Sequence, residues 1–160
     1  MPGYIPTGLY RTTVAMPGHE DAVPAATLVY VGLRPGGGRF VVRPRQNRNN
    51  RWYWQEPTIA LPESGWMWTL RALPAEGFYT LPEAIEDDAG RWARNALVQL
   101  GYNGHGRGIL FLAEQHVGAL ENKLVFSDRG RLIQDALLER LVWAPVRVVE
   151  PPRPPPGDVN

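Results

Sequence analysis

Cysteine is missing from the 160-residue chain. Its absence excludes disulfides, thiolate metal sites and cysteine nucleophiles, and it is compatible with a reducing compartment. Lysine is nearly missing: Lys123 stands alone against sixteen arginines. The only serines, Ser64 and Ser127, lie outside any nucleophile-elbow context. His19, His105 and His116 are too scattered to form a metal-spaced pair, so neither metal nor cofactor is expected. No apolar run approaches about 18 residues, which argues against a membrane partner. The opening MPGYIPTGLYR has no basic head followed by an apolar stretch. No signal peptide is expected, and the location expected is the cytoplasm or a particle assembled there.

Acidic residues are missing from Ala22 to Gln55, where Arg34, Arg39, Arg43, Arg45, Arg48 and Arg51 all fall. With a formal net charge of +1, the positive charge is local rather than global. That stretch holds RPRQNRNNR and then WYW, with WMW following at 66–68. Residues two apart on a strand share a face, so Trp52 and Trp54 project together, and Trp66 and Trp68 are expected to do the same. Arg43, Arg45, Arg48 and Arg51 beside Trp52 and Trp54 offer cations for phosphates and rings for base stacking. The same residues also suit an acidic protein partner or sugar stacking. In a third reading the arginines are a solvated loop and the tryptophans are core.

Seventeen glycines and sixteen prolines punctuate the chain. Residues 1–8 read as an extended N-terminal arm, 9–150 as a single globular domain, and 151–160 as a proline-rich tail with PxxP spacing. TLVYVGL and RFVVR form a hairpin over 27–43, and WYWQEPTIAL, WMWTLRAL, FYTL, ILFLAEQHV and KLVFS read as further strands. Thr80 and Glu83 have capping-box spacing, Pro82 suits a first turn, and Ile85, Ala89, Trp92, Ala96 and Leu100 make a stripe. These predict a main helix over about 81–100. Ile133, Leu137 and Leu141 predict a shorter C-terminal helix over about 131–143. GYNGHGRG precedes a strand rather than a helix, the wrong order for a phosphate loop. The expected fold class is α+β: an antiparallel sheet or partly open barrel of about seven strands carrying these two helices. No internal repeat is expected beyond the two W-x-W doublets, read as neighbours across one hairpin.

No constellation amounts to an active site. Glu114 and His116 share a strand face and could exchange a proton, and His19-Glu20-Asp21 could bind a cation weakly. The function expected first is a non-enzymatic structural subunit of a larger protein assembly, such as a virion or other multi-subunit particle. Terminal arms and the arginine–tryptophan hairpin would contact other protein subunits, giving a homo- or hetero-oligomer. The alternative is a module for single-stranded nucleic acid using Arg43–Trp54. The third is a hydrolase-like enzyme using His105 or His116.

Overall fold

Tyr30 points away from the buried Val29 and Val31 on one strand, and Phe40 away from the buried Val41 on the next. This period of two recurs along the chain, and it makes a β protein of two similar units. The structure, a computed structural model, describes residues 3–48, 51–61, 65–147 and 149.

The first unit contains β1 (Gly8–Arg11), β2 (Leu28–Leu33), β3 (Arg39–Val42), β4 (Pro44–Arg48), β5 (Arg51–Trp54), β6 (Ile59–Ala60) and β7 (Arg71–Ala72). Its sheet has the order β6-β3-β2-β1-β7, with every pairing antiparallel. A 3-10 turn at Gly65–Thr69 brings β7 back to the free edge of β1. The β4–β5 hairpin rises between β3 and β6. Val29, Val31 and Val41 are fully buried with Tyr10, Met16, Val23, Trp66 and Met67. These β-branched side chains fit a half-buried pleated surface.

The second unit contains β8 (Gly77–Thr80), β9 (Ile85–Asp87), β10 (Gly90–Trp92), β11 (Leu97–Tyr102), β12 (Gly108–Val117), β13 (Asn122–Phe126), β14 (Arg131–Leu132) and β15 (Val142–Trp143), with one short helix, α1 (Asp135–Leu138). It repeats the first unit. β11 pairs β8 and β12, β14 joins β12 on the far side, and β15 returns to β8. The long β12–β13 hairpin takes the place of β4–β5.

The hydrogen bonds repeat as well. Thr12 N–H donates to Thr27 O at 3.0 Å and Ala26 N–H to Thr12 O at 2.9 Å; Leu81 donates to Ala96 at 3.1 Å and Asn95 to Leu81 at 2.9 Å. Leu73 N–H to Leu9 O (3.0 Å) matches Ala144 to Phe78 (2.9 Å), and Gln55 to Arg43 (2.9 Å) matches Ser127 to Leu112 (2.8 Å). Tyr10 donates its hydroxyl proton to Pro6 O and Tyr79 to Ala75 O, both at 2.7 Å. Ala26 (φ 51°) and Asn95 (φ 65°), the non-glycine residues in the left-handed region among the described residues, hold matching places. The expectation of a chain without a larger repeat is therefore corrected.

The α+β expectation is corrected too. Residues 81–100 form the β9–β10 hairpin and most of β11, not a helix. Gly90 has a φ of 119°, outside the helical region, and the Asp87 carboxylate accepts the Ala89 N–H at 2.8 Å to close the turn. Ile85 and Trp92 meet across that hairpin, so their helical spacing is coincidental. Beyond them, Val98 and Leu100 are buried at a period of two. The helix expected over 131–143 shrinks to α1, flanked by β14 and β15. It stands where the first unit has its 3-10 turn; Leu137 and Leu138 are buried as Trp66 and Met67 are. Because residues 65–69 are helical, Trp66 is buried and Trp68 exposed, and the two doublets do not face each other across a hairpin.

Residues 3–8 of the expected arm lie on the first unit. Ile5 is in its core, Ile5 O accepts from Arg39 Nε at 2.7 Å, and the Arg39 guanidinium lies 4.5 Å from the Tyr4 ring centroid. The tail 151–160 and Ser64 lie outside the described residues. Among the described residues, no helix is long and apolar enough to cross a membrane.

The units pack through the outer face of the first sheet. Leu28, fully buried, belongs to the second unit's core, and Leu9, Trp52 and Leu73 pack against that core. Leu28 N–H donates to Gly104 O at 2.9 Å. Arg11 donates to both Asp135 oxygens, at 3.1 and 2.7 Å, and Arg71 to Asp135 at 3.0 Å. Gly106 (φ 69°) lets Arg11 pass, since a Cβ there would sit 3.0 Å from Arg11 Cβ.

Candidate binding surface

The β4–β5 hairpin gathers most of the residues singled out in the sequence. Pairing places Trp54 opposite Pro44, Trp52 opposite Asn47 and Tyr53 opposite Gln46, with a bulge between Pro44 and Gln46. Trp52 and Trp54 share a face, as their spacing predicts, with ring centroids 6.0 Å apart. That face lies on the outer side of the first sheet. Trp54 meets Tyr30 at 5.5 Å, and Tyr30 meets Phe40 at 6.4 Å. The result is a ladder of four half-buried rings, Trp52–Trp54–Tyr30–Phe40. Gly32 makes room for its end: a Cβ there would lie 2.3 Å from the Phe40 ring. The rings border a hollow of about 400 Å³, with Gln55, Glu56 and Thr58 as its polar groups.

Trp52 is anchored across the unit boundary, donating its indole N–H to Glu76 Oε1 at 2.9 Å. Burial pushes Glu76 above its ordinary value, opposed by the hydrogen bonds from Trp52 and the Tyr102 backbone.

Arg45 and Arg48 occupy the opposite face of the hairpin, where with Gln46 and Tyr53 they line a second hollow of about 270 Å³. Arg43 sits at the base, in a different cleft beside His19 and Glu56. Arg43, Arg45 and Arg48 have no ion-pair partner among the described residues. Arg51 pairs with Arg48 through its backbone, and its side chain lies outside the described residues. Cations and tryptophans thus share a hairpin but back onto different hollows. Tyr30 and Phe40 escaped the sequence reading, although alternation in TLVYVGL and RFVV places an aromatic at the outward position of each strand.

The second unit has no such ladder. Gln99 and Ile109 stand at the positions of Tyr30 and Phe40, and Phe126 stacks on Phe78 at 5.2 Å. The histidines stay apart. His105 Nδ1 lies 3.1 Å from Ala26 O, and His116 Nε2 lies 3.6 Å from Glu114 Oε2 with both side chains about half exposed. Among the described residues no three His, Asp or Glu side chains are grouped to hold a metal ion. Comparison with protein-family models, curated proteins and solved structures finds no match to this chain.

Proposed function

We propose that the chain is a non-catalytic interaction subunit of a larger protein assembly, and that the aromatic ladder on the first unit is its contact surface. One observation carries this reading. Four rings stand half-exposed around a hollow in one unit, while the other has Gln99 and Ile109 in place of Tyr30 and Phe40 and stacks Phe126, at the Trp54 position, on Phe78. Rigid aromatics with a polar tip supply large contact areas at small entropic cost, and they dominate the energetics of protein interfaces. A particle assembled in the cytoplasm, a virion among the options, suits a subunit of this kind. Mass from light scattering tests it. The chain is expected above 17.9 kDa, and Trp54→Ala combined with Tyr30→Ala is expected to return it to the monomer while leaving it folded. A monomer at every concentration, with no change in tryptophan emission on concentrating, would sink the self-assembling form. A double variant that assembles unchanged would sink the ladder's role.

A second reading rests on the other face of the hairpin, where Arg45, Arg48 and Tyr53 surround one hollow, with no ion-pair partner for either arginine among the described residues. This chemistry suits single-stranded nucleic acid. Affinity for oligothymidylate should fall steeply with salt, and Arg45→Ala with Arg48→Ala should reduce that log–log slope by roughly one unit per arginine. Absence of binding at low salt ends this reading.

A further inference from the structure

The aromatic ladder has the spacing of a groove for a polyproline helix. Its rings follow one another at 6.0, 5.5 and 6.4 Å, tilted by 34° to 56° rather than stacked flat. A polyproline II helix rises about 3.1 Å per residue, so two residues advance it by about 6 Å. Six residues span about 19 Å, the run of four rings at those intervals. Such a helix makes no internal hydrogen bonds, and its carbonyls are free to accept from a partner. The ladder has donors to offer. Trp54 has no hydrogen-bond partner for its indole N–H among the described residues, nor is that atom shut away from solvent. The Gln55 amide lines the same hollow.

The chain itself carries a segment of this kind. Residues 151–160, outside the described residues, read PPRPPPGDVN, and five of the first six are proline. The path of the chain leads that way. β15 runs antiparallel to β8, with Val142 opposite Thr80 and Ala144 N–H donating to Phe78 O at 2.9 Å. At Ala144 the chain is therefore directed toward Gly77 and Glu76, and Glu76 anchors Trp52 at one end of the ladder. Charge agrees. Glu56 is exposed beside the rings without an ion-pair partner among the described residues, and Arg153 is the one cation of residues 151–160. Gln55, Glu56 and Thr58, the polar groups of the hollow, include no cation, which sets it against the phosphates of a nucleic acid.

We infer that the ladder takes the proline-rich tail of a second copy, an inference that rests on the ladder being the contact surface of an assembly. Prolines enter the gaps between the tilted rings, a tail carbonyl accepts from the Trp54 N–H, and Arg153 pairs with Glu56. On each copy the path to the tail and one end of the ladder lie beside Glu76. A two-fold axis close to that point lets each copy lend its tail to the other. The second unit has Gln99 and Ile109 where the ladder has Tyr30 and Phe40, so each copy receives one tail.

The experiment uses the full chain, a chain ending at Glu150, and the acetylated, amidated peptide PPRPPPGDVN, followed by light scattering and by NMR at the Trp54 indole N–H. The full chain is expected at twice 17.9 kDa. The shortened chain is expected as a folded monomer whose Trp54 signal the peptide shifts, and excess peptide should dissociate the full chain. Alanine in place of Pro154 and Pro155 should weaken the peptide by about tenfold, and Arg153→Glu by about fivefold. Glu56→Arg in the shortened chain should recover the loss caused by Arg153→Glu. A shortened chain that stays assembled would overturn the exchange. If Trp54→Ala with Tyr30→Ala still gives a monomer in that case, the ladder remains the contact surface and takes something else. A Trp54 signal unmoved by millimolar peptide, or a peptide displaced by oligothymidylate, would overturn the exchange as well. A full chain that is monomeric at every concentration would sink it together with the self-assembling form of the reading above.

Discussion

Leu28→Ala is expected to lower the stability of the whole chain by about 2–5 kcal/mol, the range for removing a fully buried leucine that its surroundings cannot replace. Its matching position in the second unit, Leu97, should cost much less when changed to alanine. The two leucines hold the same place in corresponding strands of the two units. They differ in what covers them: Leu28 is fully buried in the second unit's core, whereas Leu97 remains part-exposed. Leu28→Ala therefore opens a cavity at the junction between the units, beside Leu9, Trp52 and Leu73. For a chain of this size the loss should appear as a fall in Tm of roughly 5–20 °C. Urea unfolding followed by tryptophan emission and by far-ultraviolet dichroism should give one shared transition for wild type, because the second unit's core is incomplete without Leu28, Leu9, Trp52 and Leu73, and the first unit would expose those same side chains alone. A cost under about 1 kcal/mol, or equal costs for the two leucines, would show that the first sheet does not complete the second core.

That junction also shows why the duplication was hidden in the sequence. The two units keep the same residue at Gly8 and Gly77, Tyr10 and Tyr79, Leu28 and Leu97, and Val29 and Val98. Gly32 and Gly101, and Gly37 and Gly106, match as well, but at most core positions the units keep only burial, as at Val31 and Leu100 or Val41 and Leu110. The rest of the match is backbone geometry, which many sequences satisfy. Antiparallel strands such as β2 and β3 were legible because their alternation is local and RPGGGR marks the turn between them. The stretch 81–100 misled because its apolar residues fit a helical stripe, while Gly90 and Asp87 were already spelling a turn. Local pattern lost to pairing with distant strands, since Val98 and Leu100 are buried only once β8 and β12 flank β11.

The candidate surface was legible in composition and not in orientation. Arginines and tryptophans did collect on one hairpin, but an extra residue at the bulge between Pro44 and Gln46 resets the alternation of β4 against β5. Counting from the sequence therefore paired Trp52 with Trp54 but could not say which arginines of β4 share a face with them. The aromatic partners Tyr30 and Phe40 arrive from strands remote in sequence, and only the sheet register brings them to Trp54.

Asp135→Asn should lower stability at pH 7 by about 1–3 kcal/mol, nearer the lower figure because the carboxylate is partly exposed, and the cost should shrink toward acid pH. The Arg11 hydrogen bonds come first in holding Asp135 below its ordinary value; burial opposes them, and the charges of Arg11, Arg71 and Arg107 add to them. A carboxylate depressed in the folded state stabilises fully above its unfolded pKa of about 3.9, and that contribution is lost as pH falls through the lower folded value. Urea midpoints should accordingly separate wild type from Asp135→Asn at pH 7 and converge below about pH 4. A gap unchanged from pH 7 to pH 3 would mean that the ion pairs do not hold the units together. Arg11 should matter more than Arg71, since its side chain is 14% exposed and would lose both of its hydrogen bonds to Asp135, whereas Arg71 also reaches Glu139. The positions matching Arg11 and Arg71 in the second unit are Thr80 and Val142, which carry no charge. The second unit therefore lacks the pair of cations with which the first unit grips its neighbour, so the two copies of the scaffold differ in charge at the strand pair that makes the junction.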